Sequence, residues 1–199
     1  MLAIHPVYSG NPTATVLFSC LVAVWVIGEV AIRVHSLLRG GAQKRDRGSY
    51  VVIVGTLLVG FAGGAALASA FPGAVFGEGQ PTLAVAALVL LMVGVALRFY
   101  AVLVLGRFFT VTVMVSSDYR VVHTGPYRFV RHPSYTGLLL AIAGILLSWA
   151  NWAAMLGLLP ILAGLGYRIW VEEQALTEQL GDVYRAYAQR TKRLIPFVF

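Results

Sequence analysis

The chain has 199 residues, of which 59% are hydrophobic and 12% are charged, and its mean hydropathy is +0.81. An average soluble domain is about 45–50% apolar and about 25% charged, so this chain has too few polar residues to cover a water-soluble globule. The composition excludes a soluble enzyme and indicates a single membrane domain. Because Cys20 is the only cysteine, a disulfide-stabilised secreted scaffold is excluded as well.

The formal net charge is +7, from 15 basic and 8 acidic residues. The basic residues flank long apolar stretches and do not form a face with interleaved aromatic side chains, so we expect no nucleic-acid partner. Anionic lipid headgroups are the partners that this placement favours. The net positive charge therefore indicates contact with a membrane surface.

Five apolar runs predict membrane-spanning helices, because about 20 helical residues cross the hydrocarbon layer. In chain order the runs are 13–33, 50–71, 82–105, 135–150 and 152–171. The predicted fold is an all-α integral membrane protein with five transmembrane helices. Only Asn151 separates the last two runs, which predicts a tight helical hairpin. Gly60 and Gly64 form a G-x-x-x-G pattern, which predicts close packing of the second helix on a neighbour.

The distribution of Lys and Arg predicts the orientation, because basic residues concentrate in cytoplasmic loops. With five spans, the basic residues fall on one side or within about two helical turns of it. We therefore expect the N-terminus outside and the C-terminus in the cytoplasm. Arg98, Arg107, Arg128 and Arg131 are expected to anchor the helices at lipid headgroups.

Two segments on the predicted cytoplasmic side differ from ordinary connections. Residues 106–134 are long, aromatic and basic, and loops of that length commonly carry function. The second segment follows the fifth run and begins with Arg168, Glu172 and Glu173. Arg168 and Glu172 are four residues apart and share a helix face. His5, His35, His123 and His132 are dispersed, and with no paired cysteines we expect no metal site.

The motifs in these two segments resemble those of a known family. They comprise Gly125-Pro126-Tyr127-Arg128, Arg131-His132-Pro133-Ser134-Tyr135 with Gly137, Arg168 with Glu172-Glu173, and Tyr184, Tyr187 and Pro196-Phe197. This set is similar to that of the isoprenylcysteine carboxyl methyltransferase family, whose wider group includes phospholipid N-methyltransferases. The resemblance covers about residues 98–199. The apolar runs predict two N-terminal spans in residues 1–81, and the resemblance implies a methyltransferase core in residues 82–199.

The resemblance also implies a cofactor and a set of site residues. The cofactor is S-adenosylmethionine, with S-adenosylhomocysteine as its product, bound at the cytoplasmic ends of the last helices. Arg168 and Glu172 are the implied catalytic residues, and Arg168 is also the implied substrate contact. The implied cofactor-binding residues are Val121, Val122, Tyr127, His132, Pro133, Ser134, Tyr135, Gly137, Glu172 and Glu173.

The residue types suit methyl transfer to a carboxylate, which is already ionised at pH 7 and needs no general base. We expect Arg168 to orient such an acceptor through its planar donor fork. The acceptor is then a prenylcysteine-like or other lipophilic acid whose tail enters between helices. A phospholipid amine or a small thiol is an alternative acceptor, with His123 or Glu173 as the base. A lipid-binding protein without turnover is a further alternative. The sequence leaves the oligomeric state open.

Overall fold

The structure is a computed structural model that describes residues 7–8, 10–38, 43–44, 46–76, 81–109, 114–115 and 120–195. Over these residues the chain is almost entirely helical. Its α-helices are α1 (Pro12–Leu38), α2 (Ser49–Ala70), α3 (Pro81–Leu105), α4 (Pro133–Leu147), α5 (Leu158–Leu180) and α6 (Asp182–Arg190). Short 3-10 helices lie at Gly106–Phe108, Gly125–Arg128 and Ala153–Gly157. Two-residue strands, β1 (Gln43–Lys44) and β2 (Met114–Val115), pair antiparallel.

Four helical stretches are long and apolar enough to cross a membrane: Pro12–Ser36, Ser49–Ala70, Pro81–Leu105 and Ala153–Leu180. Helix α4 is a shorter apolar helix of 15 residues. Large apolar side chains such as Ile27, Leu58 and Leu103 point away from the protein interior, which is expected of surfaces that face lipid. The predicted all-α integral membrane fold is confirmed: among the described residues there are four long apolar helical stretches, and α4, at the fourth and shortest predicted run, is a shorter apolar helix.

The connection at Asn151 is longer than the single residue that the apolar runs predict. Helix α4 ends at Leu147 and α5 begins at Leu158, so a longer connection containing a 3-10 helix joins them. Asn151 organises this connection: its Oδ1 accepts hydrogen bonds from the Ala153 and Ala154 amides over 2.9 and 3.2 Å. Its Nδ2 donates to the Phe71 carbonyl at the end of α2 over 2.9 Å. The polar asparagine therefore fastens the connection to α2.

Glycines set the pairing of the helices. A Cβ on Gly60 of α2 would lie 2.5 Å from the Gly157 carbonyl oxygen, and one on Gly64 would lie 2.9 Å from that of Ala154. A Cβ on Gly137 of α4 would lie 2.5 Å from the Arg98 amide of α3. Backbones approach this closely only where side chains are absent. The predicted packing role of Gly60 and Gly64 is confirmed, with α2 against α5 and α3 against α4.

Because α4 and α5 pack on different partners, they leave a cavity of about 760 Å³ between them. At the end of the bundle that holds the basic residues, the chain after α6 lies beside the start of α4. The Arg131 amide donates to the Lys192 carbonyl over 2.7 Å, and the His132 amide donates to that of Arg193 over 3.0 Å. This end of the bundle therefore combines the starts of α2 and α4 with the last turns of α5. Residues 110–113 and 116–119 of the predicted functional segment 106–134 lie outside the described residues.

Candidate active site

A tyrosine joins the two residues that carry the predicted chemistry. The Tyr135 hydroxyl, in the first turn of α4, donates a hydrogen bond to Glu172 Oε2 over 2.6 Å. The same hydroxyl accepts a hydrogen bond from Arg168 Nε over 3.1 Å. Arg168 and Glu172 lie one turn apart on α5, so α4 contacts both through a single oxygen atom. We call these three residues the Tyr135 cluster.

Arg168 is also held from the opposite direction by the start of α2. Its Nη1 donates to Asp46 and to Ser49 Oγ, the latter over 2.7 Å. Asp46 in turn accepts hydrogen bonds from Ser49 Oγ over 3.0 Å and from the Tyr50 amide over 3.1 Å. A carboxylate that accepts from the first amides of a helix caps it and favours its start. The Arg168 and Asp46 side chains are only 4% and 2% exposed.

Asp46 and Ser49 are site residues that the sequence did not reveal. An acid three residues before a serine, at the start of an apolar run, is typical of a helix N-terminus. That local signal predicts where α2 begins. It does not predict the contact with Arg168, which lies 122 positions later in the chain. Only the packing of α2 against α5 brings the two ends of this contact together.

Glu173 forms a second cluster on another side of α5. It accepts hydrogen bonds from Arg131 Nε over 2.8 Å and from Arg193 Nε over 3.1 Å. His132 Nε2 lies 3.3 Å from Glu173 Oε1. Arg131 also donates through Nη1 to the Ala188 and Thr191 carbonyls. Glu173 therefore links the start of α4, α5 and the chain after α6, whereas Glu172 beside it belongs to the Tyr135 cluster.

Two of the arginines expected at lipid headgroups are instead paired within the protein. Arg98 of α3 contacts both carboxylate oxygens of Glu29 of α1 over 2.8 and 3.0 Å and also donates to Ser134. Arg131 is bound to Glu173. The expectation is wrong for both residues, because bundle packing removes them from the surface. Arg128 is exposed beside Phe129, and the side chain of Arg107 lies outside the described residues.

The structure divides the predicted cofactor residues between two faces of α4. His132 and Tyr135 face α5, and their rings stack with centroids 5.5 Å apart. Ser134 and Gly137 face α3, where they contact Arg98. Glu172 and Glu173 lie on α5; of the other four, buried Pro133 begins α4, buried Tyr127 donates to the Ala101 carbonyl, and Val121 and Val122 are half-buried. Binding of a cofactor by these residues stays a prediction.

Tyr184 of α6 is a further polar group in this region. Its side chain is buried, and among the described residues its hydroxyl has no hydrogen-bond partner. Burial raises the pKa of Tyr184, and the neighbouring negative charges of Glu173 and Glu172 raise it further. A buried hydroxyl normally has a partner. An unpaired hydroxyl near Glu172 fits a ligand that supplies one. The sequence marked Tyr184 only as part of a motif, without a role.

The cavity between α4 and α5 is lined mainly by apolar side chains. These include Leu139, Leu162, Leu165, Ile169 and Trp170. Thr136 and Ile169, which also line it, directly follow Tyr135 and Arg168 in the sequence. Arg193 lies at the cavity wall and contacts Glu173. The cavity is thus an apolar space that reaches the second cluster through Arg193, whereas the three side chains of the Tyr135 cluster are not among those that line it.

Comparisons with known proteins agree with this architecture. Residues 86–178 match the model of the isoprenylcysteine carboxyl methyltransferase (ICMT) family. Protein-S-isoprenylcysteine O-methyltransferase B of Arabidopsis thaliana is 31% identical over 114 residues, which cover 56% of this chain and 58% of that protein. Methanethiol S-methyltransferase 1 of Bradyrhizobium diazoefficiens is 37% identical over 71 residues, covering 36% of this chain and 24% of that protein. The chain spans less than two thirds of the length of the plant relatives it matches.

A solved structure shares the fold. The eukaryotic intramembrane Ras methyltransferase ICMT aligns over 99% of this chain and 72% of its own, with a TM-score of 0.63 and 23% sequence identity. At that identity the likeness concerns the fold alone. The family match over residues 86–178 includes the motifs from Gly125 to Glu173. The resemblance is confirmed: residues 86–178 of this integral membrane protein match the ICMT family model, in a fold that the solved ICMT structure shares.

Proposed function

We propose that the chain is an S-adenosylmethionine-dependent membrane methyltransferase that methylates the carboxylate of a prenylcysteine-like or other lipophilic acceptor. The observation that carries this proposal is the Tyr135 cluster, which joins α4 to α5, the same two helices that line the apolar cavity. The names of the relatives, protein-S-isoprenylcysteine O-methyltransferase among them, support the same reaction class. Residues 82–199 form the catalytic core in this proposal.

The residues present suit the cofactor. S-adenosylmethionine carries an amine, a carboxylate, ribose hydroxyls and an adenine ring, and it supplies an electrophilic methyl group when bound. Glu172 offers a carboxylate to its polar groups, and the unpaired hydroxyl of Tyr184 offers a further hydrogen bond. The partly exposed ring of Tyr135, which stacks on the buried ring of His132, offers a flat apolar surface. We therefore assign these four residues to the cofactor side of the site.

The acceptor side requires orientation and charge balance more than proton transfer. A carboxylate acceptor is already ionised at pH 7, so Arg168 has only to orient it. Positioning of that kind supplies much of the rate enhancement of a direct displacement. The cavity of about 760 Å³ takes the apolar tail. In this proposal the C-terminus and the site face the cytoplasm, where the acceptor's carboxylate meets the basic end of the bundle.

A small-thiol acceptor is the second candidate, favoured by the similarity to methanethiol S-methyltransferase 1. A thiol needs a group that removes its proton, because its ordinary pKa lies near 8.5. Glu173 already accepts hydrogen bonds from Arg131 and Arg193, so it is poorly placed for that task. His123 is exposed in the segment before Gly125. Neither group contacts the Tyr135 cluster, and a carboxylate acceptor needs neither of them.

The test is a methyl-transfer assay with labelled cofactor on the purified full chain. The acceptor panel contains S-farnesylcysteine, a phosphatidylethanolamine and a small thiol. We expect transfer to S-farnesylcysteine and none to its methyl ester, which has no free carboxylate. Transfer only to the thiol would favour the second candidate. Calorimetry that detects no binding of S-adenosylhomocysteine would contradict both enzymatic proposals and leave a lipid-binding protein.

A further inference from the structure

The donor fork of Arg168 is largely occupied within the protein. Nη1 donates hydrogen bonds to Asp46 and Ser49, and Nε donates one to the Tyr135 hydroxyl. A carboxylate that binds arginine with both oxygens needs either the Nε and Nη2 pair or the Nη1 and Nη2 pair. In each pair one nitrogen already donates to a protein group: Nε in the first pair and Nη1 in the second. An acceptor carboxylate therefore meets an arginine whose position and orientation are already fixed.

The charges around Arg168 also limit how tightly an anion binds. Asp46 supplies one negative charge in direct contact, and Glu172 supplies another through the Tyr135 hydroxyl. All of these groups are wholly or partly buried, so their interactions are screened less than those of surface charges. One guanidinium and two carboxylates give these groups a formal charge of −1, so Arg168 holds an acceptor carboxylate only weakly. A weakly held carboxylate keeps the electron density that it needs as a nucleophile.

Asp46 lies outside the residues that match the family model, which begin at residue 86. It reaches the site because the start of α2 packs against α5. Two surface residues make a similar contact between the same loop and the same helix: Arg47 lies 3.8 Å from Glu178, with both side chains about half exposed. The buried contact is the one that touches the Tyr135 cluster.

We propose that Asp46 is the positioning residue of the acceptor site, which fixes the Arg168 guanidinium and weakens its hold on the acceptor carboxylate. The inference rests on the proposed function. It gives a specific role to the part of the chain before residue 86, because the start of α2 contributes Asp46 to the acceptor site. Ser49 assists by holding the same nitrogen of Arg168.

The test compares Asp46→Asn with the wild-type chain in two measurements. The first is the affinity for S-farnesylcysteine relative to its methyl ester, with S-adenosylhomocysteine present. Because the substitution removes a negative charge next to Arg168, we expect the acid-to-ester affinity ratio to rise about tenfold. The second is turnover: we expect a lower KM for the acid together with a kcat about tenfold lower. The affinity for S-adenosylhomocysteine alone is expected to stay within about twofold.

Three further variants separate positioning from a general effect on folding. Asp46→Glu keeps the charge and should keep the acid-to-ester ratio near that of the wild type. Glu178→Gln removes the exposed contact between the same two elements and should leave both measurements unchanged. Ser49→Ala removes one hydrogen bond to Arg168 without changing charge, so it should lower kcat severalfold at an unchanged ratio. If Asp46→Asn does not fold, an unchanged kcat in Ser49→Ala overturns the inference.

The outcomes distinguish the inference from the proposed function. A wild-type chain that neither binds nor methylates S-farnesylcysteine overturns the proposed function and with it the acceptor assignment. A wild-type chain that methylates the acid, with an unchanged ratio in folded Asp46→Asn, overturns the inference alone. A parallel loss of S-adenosylhomocysteine binding and thermal stability in Asp46→Asn, without a change in the ratio, likewise shows a purely structural role.

Discussion

Arg168 of α5 donates a hydrogen bond to Asp46, which lies 122 positions earlier in the chain. The contact joins the α2 N-terminus to the helix that carries the family's Arg and Glu residues. It places a buried carboxylate on the arginine that is assigned to the acceptor. The site is consequently assembled from both halves of the chain, although the family match begins at residue 86.

Tyr135→Phe removes the hydroxyl that contacts both Arg168 and Glu172. We expect kcat to fall about 10- to 100-fold, because both side chains lose the oxygen that fixes their relative position. The free energy of unfolding should fall by about 1–2 kcal/mol for the lost hydrogen bonds. Methyl-transfer kinetics and thermal unfolding in detergent measure the two effects. A variant with wild-type kinetics would show that the bridge does not contribute to the reaction.

Glu172→Gln and Glu173→Gln separate function from structure at adjacent positions. Glu172 belongs to the Tyr135 cluster, so its glutamine variant should weaken S-adenosylhomocysteine binding about tenfold, with little loss of stability. Glu173 balances the charges of Arg131 and Arg193. Its glutamine variant should lower the free energy of unfolding by about 2 kcal/mol, because partly buried positive charges lose their partner. Calorimetry and thermal unfolding of both variants test these two expectations. Lower stability in Glu172→Gln together with weaker S-adenosylhomocysteine binding in Glu173→Gln would contradict them.

Tyr184→Phe tests the unpaired hydroxyl. Among the described residues that hydroxyl has no partner, so its removal should not lower the stability of the protein without ligand. If the hydroxyl contacts the cofactor as assigned, affinity for S-adenosylhomocysteine falls about five- to tenfold. Calorimetry on the variant measures this loss. Unchanged affinity would remove Tyr184 from the cofactor side of the site.

Tyr187→Phe is the matched variant, one helical turn later. The Tyr187 hydroxyl donates to the Tyr127 carbonyl over 2.7 Å, so the variant should lose about 1 kcal/mol of stability at neutral pH. Burial raises the pKa of Tyr187 to about 12, above its value near 10 in an unfolded chain. The stability from this group is therefore complete below pH 10 and is lost as the pH rises toward 12. The difference in melting temperature between wild type and variant should narrow over that range.

Gly60→Ala and Gly63→Ala test helix packing in α2. A Cβ at Gly60 would lie 2.5 Å from the Gly157 carbonyl oxygen, whereas one at Gly63 meets no atom within 4 Å. We expect Gly60→Ala to destabilise the protein by about 1–3 kcal/mol through overpacking. Gly63→Ala should be neutral or slightly stabilising, because alanine favours the helix. Thermal unfolding of the two variants decides the comparison, and equal melting temperatures would contradict it.

The sequence by itself determined the membrane class, the approximate spans and the family. These follow from local properties: long apolar runs, small residues at helical spacing, and motifs whose members lie close together in the chain. Through the family resemblance it also predicted site roles for Tyr135, Arg168 and Glu172, which the structure joins through the Tyr135 hydroxyl. The sequence does not determine the helix boundaries at Leu147 and Leu158, because apolar composition alone does not separate a helix from the 3-10 turn before it.

Only the tertiary structure decided which charges meet. Arg98 and Arg131 have the same local surroundings as headgroup anchors, yet Glu29 and Glu173 bind them inside the bundle. Glu172 and Glu173 are neighbours in sequence, but their directions on α5 place them in different clusters. Asp46 reaches Arg168 because glycines let α2 approach α5 closely. A buried charge pairs with the residue that helix packing places in contact with it. The distance between two residues in space is independent of their separation along the chain.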